Sequence, residues 1–216
     1  MLTPNPGPNE SIMSFHRWRL DGQLALVTGG SAGIGRAIAR ELLGFGARVL
    51  IAARDGNGLD ATRAELEEAF PDGEVRTCIA DVADDEQRRE LLDWVEDIGD
   101  GLNILVNNAG GNLTRPAVDY SEDEWRGIFE VNLFSAFELA RSTYPLLTKH
   151  AASCIVNVGS VSAITHVRSG APYGMSKAAM HQMTRNLAVE WAEDGIRVNA
   201  VAPWYIRTRR TSTKLA

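Results

Sequence analysis

Two side chains that can move a proton lie close together in the second half of the chain. Tyr173 and Lys177 form the pattern Y-x-x-x-K, and Ser160 precedes them. In a helix, this four-residue spacing places the phenol and the ammonium on one face, one turn apart. A positive charge at that distance favours the phenolate form of the tyrosine. The pair can therefore give a proton to a developing alkoxide or take one from an alcohol.

A glycine cluster near the start of the chain predicts a phosphate-binding turn. The sequence T-G-G-S-A-G-I-G at residues 28–35 follows an apolar run and precedes an amphipathic segment. Glycines let the backbone approach a pyrophosphate closely, and the following helix N-terminus offers free N–H groups. The next two residues, Arg36 and Ala37, exclude a P-loop, which requires Lys and then Ser or Thr. The alternative to a dinucleotide-binding turn is an ordinary tight turn.

The end of the second apolar run indicates which dinucleotide binds. It reads Ala53-Arg54, with Asp55 one place later. Folds selective for NAD usually carry an acidic residue there, whereas a guanidinium suits the 2'-phosphate of NADP. We therefore expect NADP(H) in preference to NAD(H). The alternative is that Arg54 is a solvated charge and Asp55 binds the ribose.

Composition restricts the class of protein. A chain of 216 residues with 44% hydrophobic residues can bury one sizeable core, so we expect one domain over residues 21–216, after a flexible leader at residues 1–20. The net charge of -6 and the pI near 5.3 argue against a nucleic-acid or anionic-membrane partner. No apolar stretch is long enough to span a membrane, and the start does not resemble a secretory signal. The two cysteines lie in apolar runs, which favours a reducing, cytoplasmic setting.

Short apolar runs alternate with amphipathic segments, a pattern typical of an α/β fold with a doubly wound, Rossmann-like parallel sheet flanked by helices. The predicted strands are Leu24–Thr28, Arg48–Ala53, Val75–Ala80, Ile104–Asn107, Ser153–Val158 and Arg197–Val201. The predicted helices are Ile34–Leu43, Leu59–Phe70, Glu86–Ile98, a pair from Glu122 to about His150, and Tyr173–Glu193.

With these motifs in place, residues 20–208 resemble the short-chain dehydrogenase/reductase family. Six features occur in that family's order: T-G-x-x-x-G-I-G at Thr28–Gly35, Asp81-Val82, N-N-A-G at Asn107–Gly110, Asn132, Ser160, and Y-x-x-x-K at Tyr173 and Lys177. Each motif is weak alone, but their order and placement make the combination specific. The resemblance implies a homo-oligomeric enzyme that acts on a small carbonyl or alcohol substrate and needs no metal.

The resemblance also implies the role of each site residue. Asp81 would hold the adenine, and Asn108, Ala109 and Gly110 would line the adenosine ribose. The whole set expected at the cofactor comprises Gly29, Ser31, Gly33, Ile34, Gly35, Arg54, Asp81, Val82, Asn108, Ala109, Gly110, Tyr173, Lys177, Pro203, Ile206 and Thr208.

Four residues are expected to be catalytic. By the resemblance, Ser160 would bind the substrate carbonyl oxygen, and Tyr173 would be the general acid or base. Lys177 would favour the phenolate and bind the nicotinamide ribose, and Asn132 would hold a water that relays protons. The four histidines have no metal-ligand spacing and are expected to be structural or exposed.

The segment after the last predicted strand refines the resemblance. In Pro203-Trp204-Tyr205-Ile206-Arg207-Thr208, a tryptophan replaces the usual glycine, which is similar to the tropinone reductase-like branch. Trp204 and Tyr205 either line the substrate cleft or pack on neighbouring structure. The loop before Tyr173 offers His166 or Arg168 to a polar substrate group, unless both are solvated.

Three further expectations concern the whole molecule. Relatives continue past this point with a lid and a last strand, so the C-terminal end of the domain is expected to be incomplete. Apolar residues in the paired helices suggest a homo-oligomer, a tetramer, with internal packing as the alternative; they are Phe129, Leu133, Phe137, Leu139 and Ala140. Two other functions stay open: a 3-oxoacyl-carrier-protein reductase, and a non-catalytic NADP(H) sensor or scaffold.

Overall fold

Six parallel strands form one sheet in the order β3-β2-β1-β4-β5-β6. The computed structural model describes residues 18–99, 101–208 and 211. The strands are β1 (Leu24–Thr28), β2 (Arg48–Ala53), β3 (Val75–Ile79), β4 (Ile104–Asn107), β5 (Ser153–Val158) and β6 (Ile196–Val201). All six predicted strands are confirmed, with bounds that differ by at most one residue.

The strand order reverses at β1, which pairs with β2 on one side and with β4 on the other. Ala25 of β1 lies opposite Val49 of β2 and Ile104 of β4. At such a switch point the chain leaves neighbouring strands toward opposite faces of the sheet, so a crevice opens at their carboxyl ends. The predicted glycine turn and the N-N-A-G motif both lie at this crevice.

Helices cover both faces of the sheet. They are α1 (Gly33–Gly44), α2 (Gly56–Ala69), α3 (Asp85–Ile98), α4 (Glu122–Phe129), α5 (Ser135–Leu147) and α6 (Ala171–Glu190). A π-helical stretch, Glu130–Phe134, joins α4 to α5, and short 3-10 turns lie at Ala117–Asp119 and Val161–Ala163.

Helix ends differ from the predicted ones where local chemistry moved them. Helix α2 begins three residues early because the carboxylate of Asp55 accepts a hydrogen bond from the N–H of Gly58. Helix α6 begins at Ala171, directly after Gly170, whose φ of 87° is accessible to glycine, and Pro172 suits its first turn.

The core consists of two layers, one on each face of the sheet. Successive strand residues point to opposite faces, so Leu26 and Leu105 join one layer whereas Val27 and Val106 join the other. The two layers together explain why the strands are apolar along their whole length. The cysteines pack at the edges of these layers, and burial raises the pKa of both the Cys78 and the Cys154 thiol.

The apolar residues predicted to form an interface divide into two groups. Leu139 and Ala140 are buried in the core, as in the alternative interpretation, whereas Phe137 is 39% exposed. Phe134, which the sequence did not single out, is 48% exposed. Within the described ranges, no helix combines the length and apolar content needed to cross a bilayer. Residues 1–17, Arg209, Arg210 and Lys214 lie outside the described residues, so the predicted leader stays a prediction.

Candidate active site

The glycine turn connects β1 to α1 in a conformation that requires glycine. Gly29 and Gly33 have φ values of 65° and 56°, which side chains rarely adopt. Helix α1 starts at Gly33 with no side-chain cap and no acidic residue in its first turn. Its N–H groups and the positive end of its dipole are thus available to an anion. The turn fits the pyrophosphate of a dinucleotide.

The N-N-A-G segment after β4 is tied to this turn by side-chain hydrogen bonds. The Thr28 hydroxyl oxygen accepts from the N–H groups of Asn108 at 3.1 Å and Ala109 at 3.0 Å. In return, Asn108 Nδ2 donates to the carbonyls of Thr28 at 2.8 Å and Gly29 at 3.1 Å. The two segments therefore form one rigid wall of the crevice.

Gly35 is closely packed within that wall, and we expect Gly35→Ala to disrupt it. A Cβ there would lie 2.4 Å from Asn108 Nδ2 and 2.5 Å from the Gly29 carbonyl oxygen. Overpacking of this kind costs about 1–3 kcal/mol, so urea unfolding should shift to lower denaturant concentration, and NADPH binding should weaken.

The matched control is Gly127→Ala in helix α4, where a Cβ would meet nothing within 4 Å. That change should leave NADPH binding unchanged and stabilise the fold by up to about 1 kcal/mol, because alanine favours the helix. Equal urea midpoints for the two variants would contradict the close contact at Gly35.

The end of β2 presents a cation at the mouth of the crevice. Arg54 is exposed, and its guanidinium lies 3.3 Å from a carboxylate oxygen of Asp81. The carboxylate of Asp55 instead caps helix α2 through the Gly58 N–H at 3.1 Å. Both Arg54 and Asp55 line the crevice beside Ala53, but one carboxylate oxygen of Asp55 serves the helix cap, whereas the exposed guanidinium of Arg54 can reach a bound anion.

Asn132 lies within the π-helical stretch, fully buried. Its Oδ1 accepts from the Gly111 N–H at 2.9 Å, and its Nδ2 donates to the Gly111 carbonyl at 2.8 Å and to Ser176 Oγ at 3.3 Å. The side chain thus fastens the loop after β4 to helix α6. Gly110 permits this approach, because a Cβ there would lie 2.8 Å from Asn132 Oδ1.

Ser160 follows β5 and is oriented by the 3-10 turn that it caps. Its hydroxyl oxygen accepts from the Ser162 N–H at 3.1 Å, and the side chain is 9% exposed. The preceding Gly159 donates its N–H to the Val201 carbonyl at 2.8 Å, which ties the turn to β6. Since the oxygen is occupied as an acceptor, the hydroxyl hydrogen remains to be donated into the crevice.

Helix α6 carries Tyr173 and Lys177 one turn apart, as the spacing predicts. The ammonium of Lys177 donates to the Val158 carbonyl at 2.8 Å, and the side chain is only 4% exposed. A buried ammonium needs such partners, because removing a charge from water without compensation is costly. The Val158 carbonyl at the end of β5 therefore fixes the position of the Lys177 ammonium beside the crevice.

All these side chains line one continuous cleft with a volume of about 920 Å³. The predicted site residues that line it are, in chain order, Gly29, Ser31, Gly33, Ile34, Gly35, Arg54, Asp81, Val82, Asn108, Ala109, Gly110, Asn132, Ser160, Tyr173, Lys177, Pro203, Ile206 and Thr208. Trp204 and Tyr205 line it too, in edge-to-face contact at 5.4 Å between ring centroids. Their roles toward ligands remain predictions.

Sequence reasoning missed several lining residues. Asn112, Ser162 and Ser169 line the cleft, and no motif in the sequence marks them. Of the two loop residues considered, Arg168 lines the cleft, whereas His166 is exposed and is not among its lining residues. Only the position of Ser162, Arg168 and Ser169 between Ser160 and Tyr173, and that of Asn112 just after the N-N-A-G motif, could have indicated these residues.

Among the described histidines, His181 lies next to the turn that carries Ser160. It lies one turn after Lys177, and a Cβ on Gly159 would come within 2.2 Å of its Nε2, so the imidazole packs beneath the turn that carries Ser160. Burial, followed by the charges of Arg185 and Lys177, lowers the pKa of His181. Among the described residues, no three His, Cys, Asp or Glu side chains cluster as metal ligands would.

The family model described as short chain dehydrogenase matches residues 23–216 of the chain. A tropinone reductase homolog of Arabidopsis thaliana is 45% identical over 203 residues, which cover 92% of this chain and 75% of the homolog.

Two solved structures with NADP superimpose closely on the chain. Pseudomonas aeruginosa RhlG, in an active-site complex with NADP, is 36% identical with a TM-score of 0.85, and the match covers 91% of this chain and 77% of that one. A gluconate 5-dehydrogenase of Burkholderia cenocepacia, in complex with NADP and tartrate, is 31% identical with a TM-score of 0.85, and the match covers 94% of this chain and 78% of that one.

Proposed function

Because the chain belongs to the short-chain dehydrogenase family, we propose that it is an NADP(H)-dependent oxidoreductase that interconverts a ketone and a secondary alcohol. The observation that carries this proposal is the single cleft lined by the glycine turn at one end and by Ser160, Tyr173 and Lys177 at the other. The NADP held by the two solved relatives supports the choice of cofactor. The tropinone reductase-like homologs support a ketone substrate.

In reduction, NADPH bound in the cleft would supply a hydride to the carbonyl carbon. Ser160 would donate its hydroxyl hydrogen to the carbonyl oxygen, because its own oxygen already accepts from the Ser162 N–H. A donor fixed before the reaction stabilises the charge that grows on the oxygen. Tyr173 would then transfer its phenol proton to that oxygen, which completes the alcohol.

Lys177 and Asn132 would support the tyrosine. The ammonium, held by the Val158 carbonyl, would favour the phenolate and bind the nicotinamide ribose. The Asn132 amide is already committed to Gly111 and Ser176. A π-helical break leaves main-chain carbonyls outside the regular ladder. We therefore propose that the main chain at Asn132 binds the water that relays protons to Tyr173. The side chain of Asn132 would then stabilise the π-helical break.

Arg54→Ala tests the choice of cofactor. We expect NADPH affinity to fall about 10-fold, the lower end for a charge-assisted hydrogen bond at an exposed guanidinium, while NADH affinity stays the same. The measurement is a titration of the purified chain with each cofactor, following energy transfer from tryptophan to the bound nicotinamide.

Asp55→Ala is the companion variant, because the alternative assigns the ribose to that carboxylate. Loss of the cap should lower helix stability by about 1 kcal/mol and leave NADH affinity unchanged. If Asp55→Ala weakens NADH binding and Arg54→Ala affects both cofactors equally, then the 2'-phosphate role of Arg54 is wrong.

The exposed Phe134 and Phe137 support our proposal of a homotetramer, since apolar surface of this kind favours a subunit contact. Cytoplasmic localisation stays a prediction from the sequence.

A further inference from the structure

The substrate end of the cleft differs in charge from the adenine end. Its lining includes the exposed Arg168 together with Ser162 and Ser169, which belong to the same loop before α6. We propose that the carbonyl substrate carries a carboxylate, which binds Arg168 and the hydroxyls of these two serines. This inference rests on the proposed function and adds the chemical class of the substrate.

The two hydroxyls form a fixed pair. Ser162 Oγ and Ser169 Oγ are 3.2 Å apart, although they belong to opposite ends of the loop before α6. Asn112 Nδ2 donates to the Ser169 carbonyl at 3.0 Å, which attaches this end of the loop to the wall after β4. A polar pair held in this way offers donors to a ligand oxygen without first being ordered, which reduces the entropic cost of binding.

The pair also lies at the reacting end of the cleft. The Ser162 N–H donates to Ser160 Oγ, the group assigned to the substrate carbonyl. A ligand oxygen bound at Ser162 would therefore lie only a few bonds from the carbonyl that reacts. This distance suits a short oxo acid, with the carboxylate at one end and the ketone beside Ser160.

The charged side chains that line the cleft also favour an anionic substrate. Among the described lining residues, the carboxylates are Asp55 and Asp81, and both lie at the adenine end. The other arginine that lines the cleft, Arg54, pairs with Asp81 at the opposite end, where we propose that it binds the 2'-phosphate of the cofactor.

Arg168 differs from Arg54. It has no ion pair with a carboxylate of the part of the chain that the structure describes. A guanidinium binds a carboxylate through two parallel N–H bonds, and it is always charged. The substrate end is thus electropositive and hydroxyl-lined, which matches an anionic ligand.

The test uses acid and ester pairs, because esterification removes the charge and keeps the ketone. The probes are 3-oxobutanoate and 4-oxopentanoate with their methyl esters, each titrated into the full chain saturated with NADP⁺. Binding is followed through tryptophan fluorescence, since Trp204 lines the cleft. Rates of NADPH oxidation with the same probes give KM and kcat.

Three variants separate the charge from its surroundings. Arg168→Gln removes the charge, and Arg168→Lys keeps it without the two-bond geometry. Arg89→Gln is the matched control, an exposed arginine on helix α3 that does not line the cleft. We expect the acid to bind wild type about 10- to 100-fold more tightly than its ester. Arg168→Gln should abolish this preference through KM, Arg168→Lys should retain part of it, and Arg89→Gln should behave as wild type.

The outcomes are distinguishable. Equal binding of acids and esters by a chain that binds NADPH would overturn the carboxylate and leave the oxidoreductase standing. A preference for acids that Arg168→Gln does not reduce would remove Arg168 from the site and so overturn the proposal. If the chain binds no NADPH, the proposed function fails first and this inference fails with it.

Discussion

Replacing Tyr173 by phenylalanine is expected to lower kcat by about 10²- to 10⁴-fold, the usual contribution of a general acid or base. The phenylalanine ring keeps the shape of the side chain and loses only the proton that the alcohol needs. Tyr173 lines the cleft beside Ser160, and its helix is anchored through Lys177 and Val158. The architecture should therefore survive, and NADPH titration should give an affinity close to that of wild type.

Tyr144→Phe is the control for this experiment, because it deletes the same hydroxyl far from the chemistry. Tyr144 packs against Trp191 at 5.1 Å between ring centroids, and its hydrogen bond with Asp194 raises the pKa of its phenol. That variant should turn over like wild type. If Tyr173→Phe also keeps full activity, another group transfers the proton. If wild type binds NADPH and reduces no ketone, the chain fits the sensor or scaffold alternative.

The strands were predictable because each is apolar on both faces and bounded by polar or turn residues. Leu26 and Val27 point to different faces, yet both are buried, as expected for a parallel sheet covered by helices. The glycine turn, Asp81, the N-N-A-G motif and Ser160 were predictable for the same reason, since each follows such a strand, whereas the Y-x-x-x-K pair was recognised by its helical spacing. Their convergence at one cleft follows from strand order, because carboxyl ends of parallel strands meet at one edge.

What the sequence did not predict depends on contacts between distant segments. The π-helical stretch at Asn132 differs from an α-helix in its i→i+5 hydrogen bonds, but it covers only five residues, too few to change the apolar periodicity. It is stabilised by the Gly111 backbone and by Ser176, which come from two other elements. The helix cap formed by Asp55 is a local contact. The sequence did not predict it, because a carboxylate at this position can also bind the ribose of a cofactor.

The polar pairs within the sheet are a second example. Asn107 Nδ2 donates to Asn157 Oδ1 at 2.9 Å, and Asn157 Nδ2 donates to Thr184 Oγ1 at 2.9 Å. These buried side chains connect β4, β5 and helix α6 just below the cleft. An asparagine within an apolar strand is the only signal in the sequence, because a buried amide must find partners. The partner itself depends on strand order.

Lys177→Met should give the second large effect, and it should appear in both binding and rate. Methionine fills much of the space of the lysine stem, so the loss is mainly that of the ammonium. The Val158 carbonyl would lose its 2.8 Å donor at a site where Lys177 is only 4% exposed. Removing a hydrogen bond to a charged group costs about 1.5–3 kcal/mol. The same ammonium is the proposed ligand of the nicotinamide ribose, so losing that second hydrogen bond should lower NADPH affinity at least about 10-fold.

The rate should fall as well, because the cation no longer favours the phenolate of Tyr173, and kcat should drop by about 10²-fold or more. Lys149→Met is the matched control, a lysine that is exposed after helix α5. Stopped-flow binding and single-turnover reduction separate the two effects. A variant that loses only affinity would make Lys177 a ribose ligand alone. A variant that loses only rate would show that Lys177 acts on Tyr173 alone. We expect affinity and rate to fall together, because the same ammonium lies between the Val158 carbonyl of β5 and the helix turn that carries Tyr173.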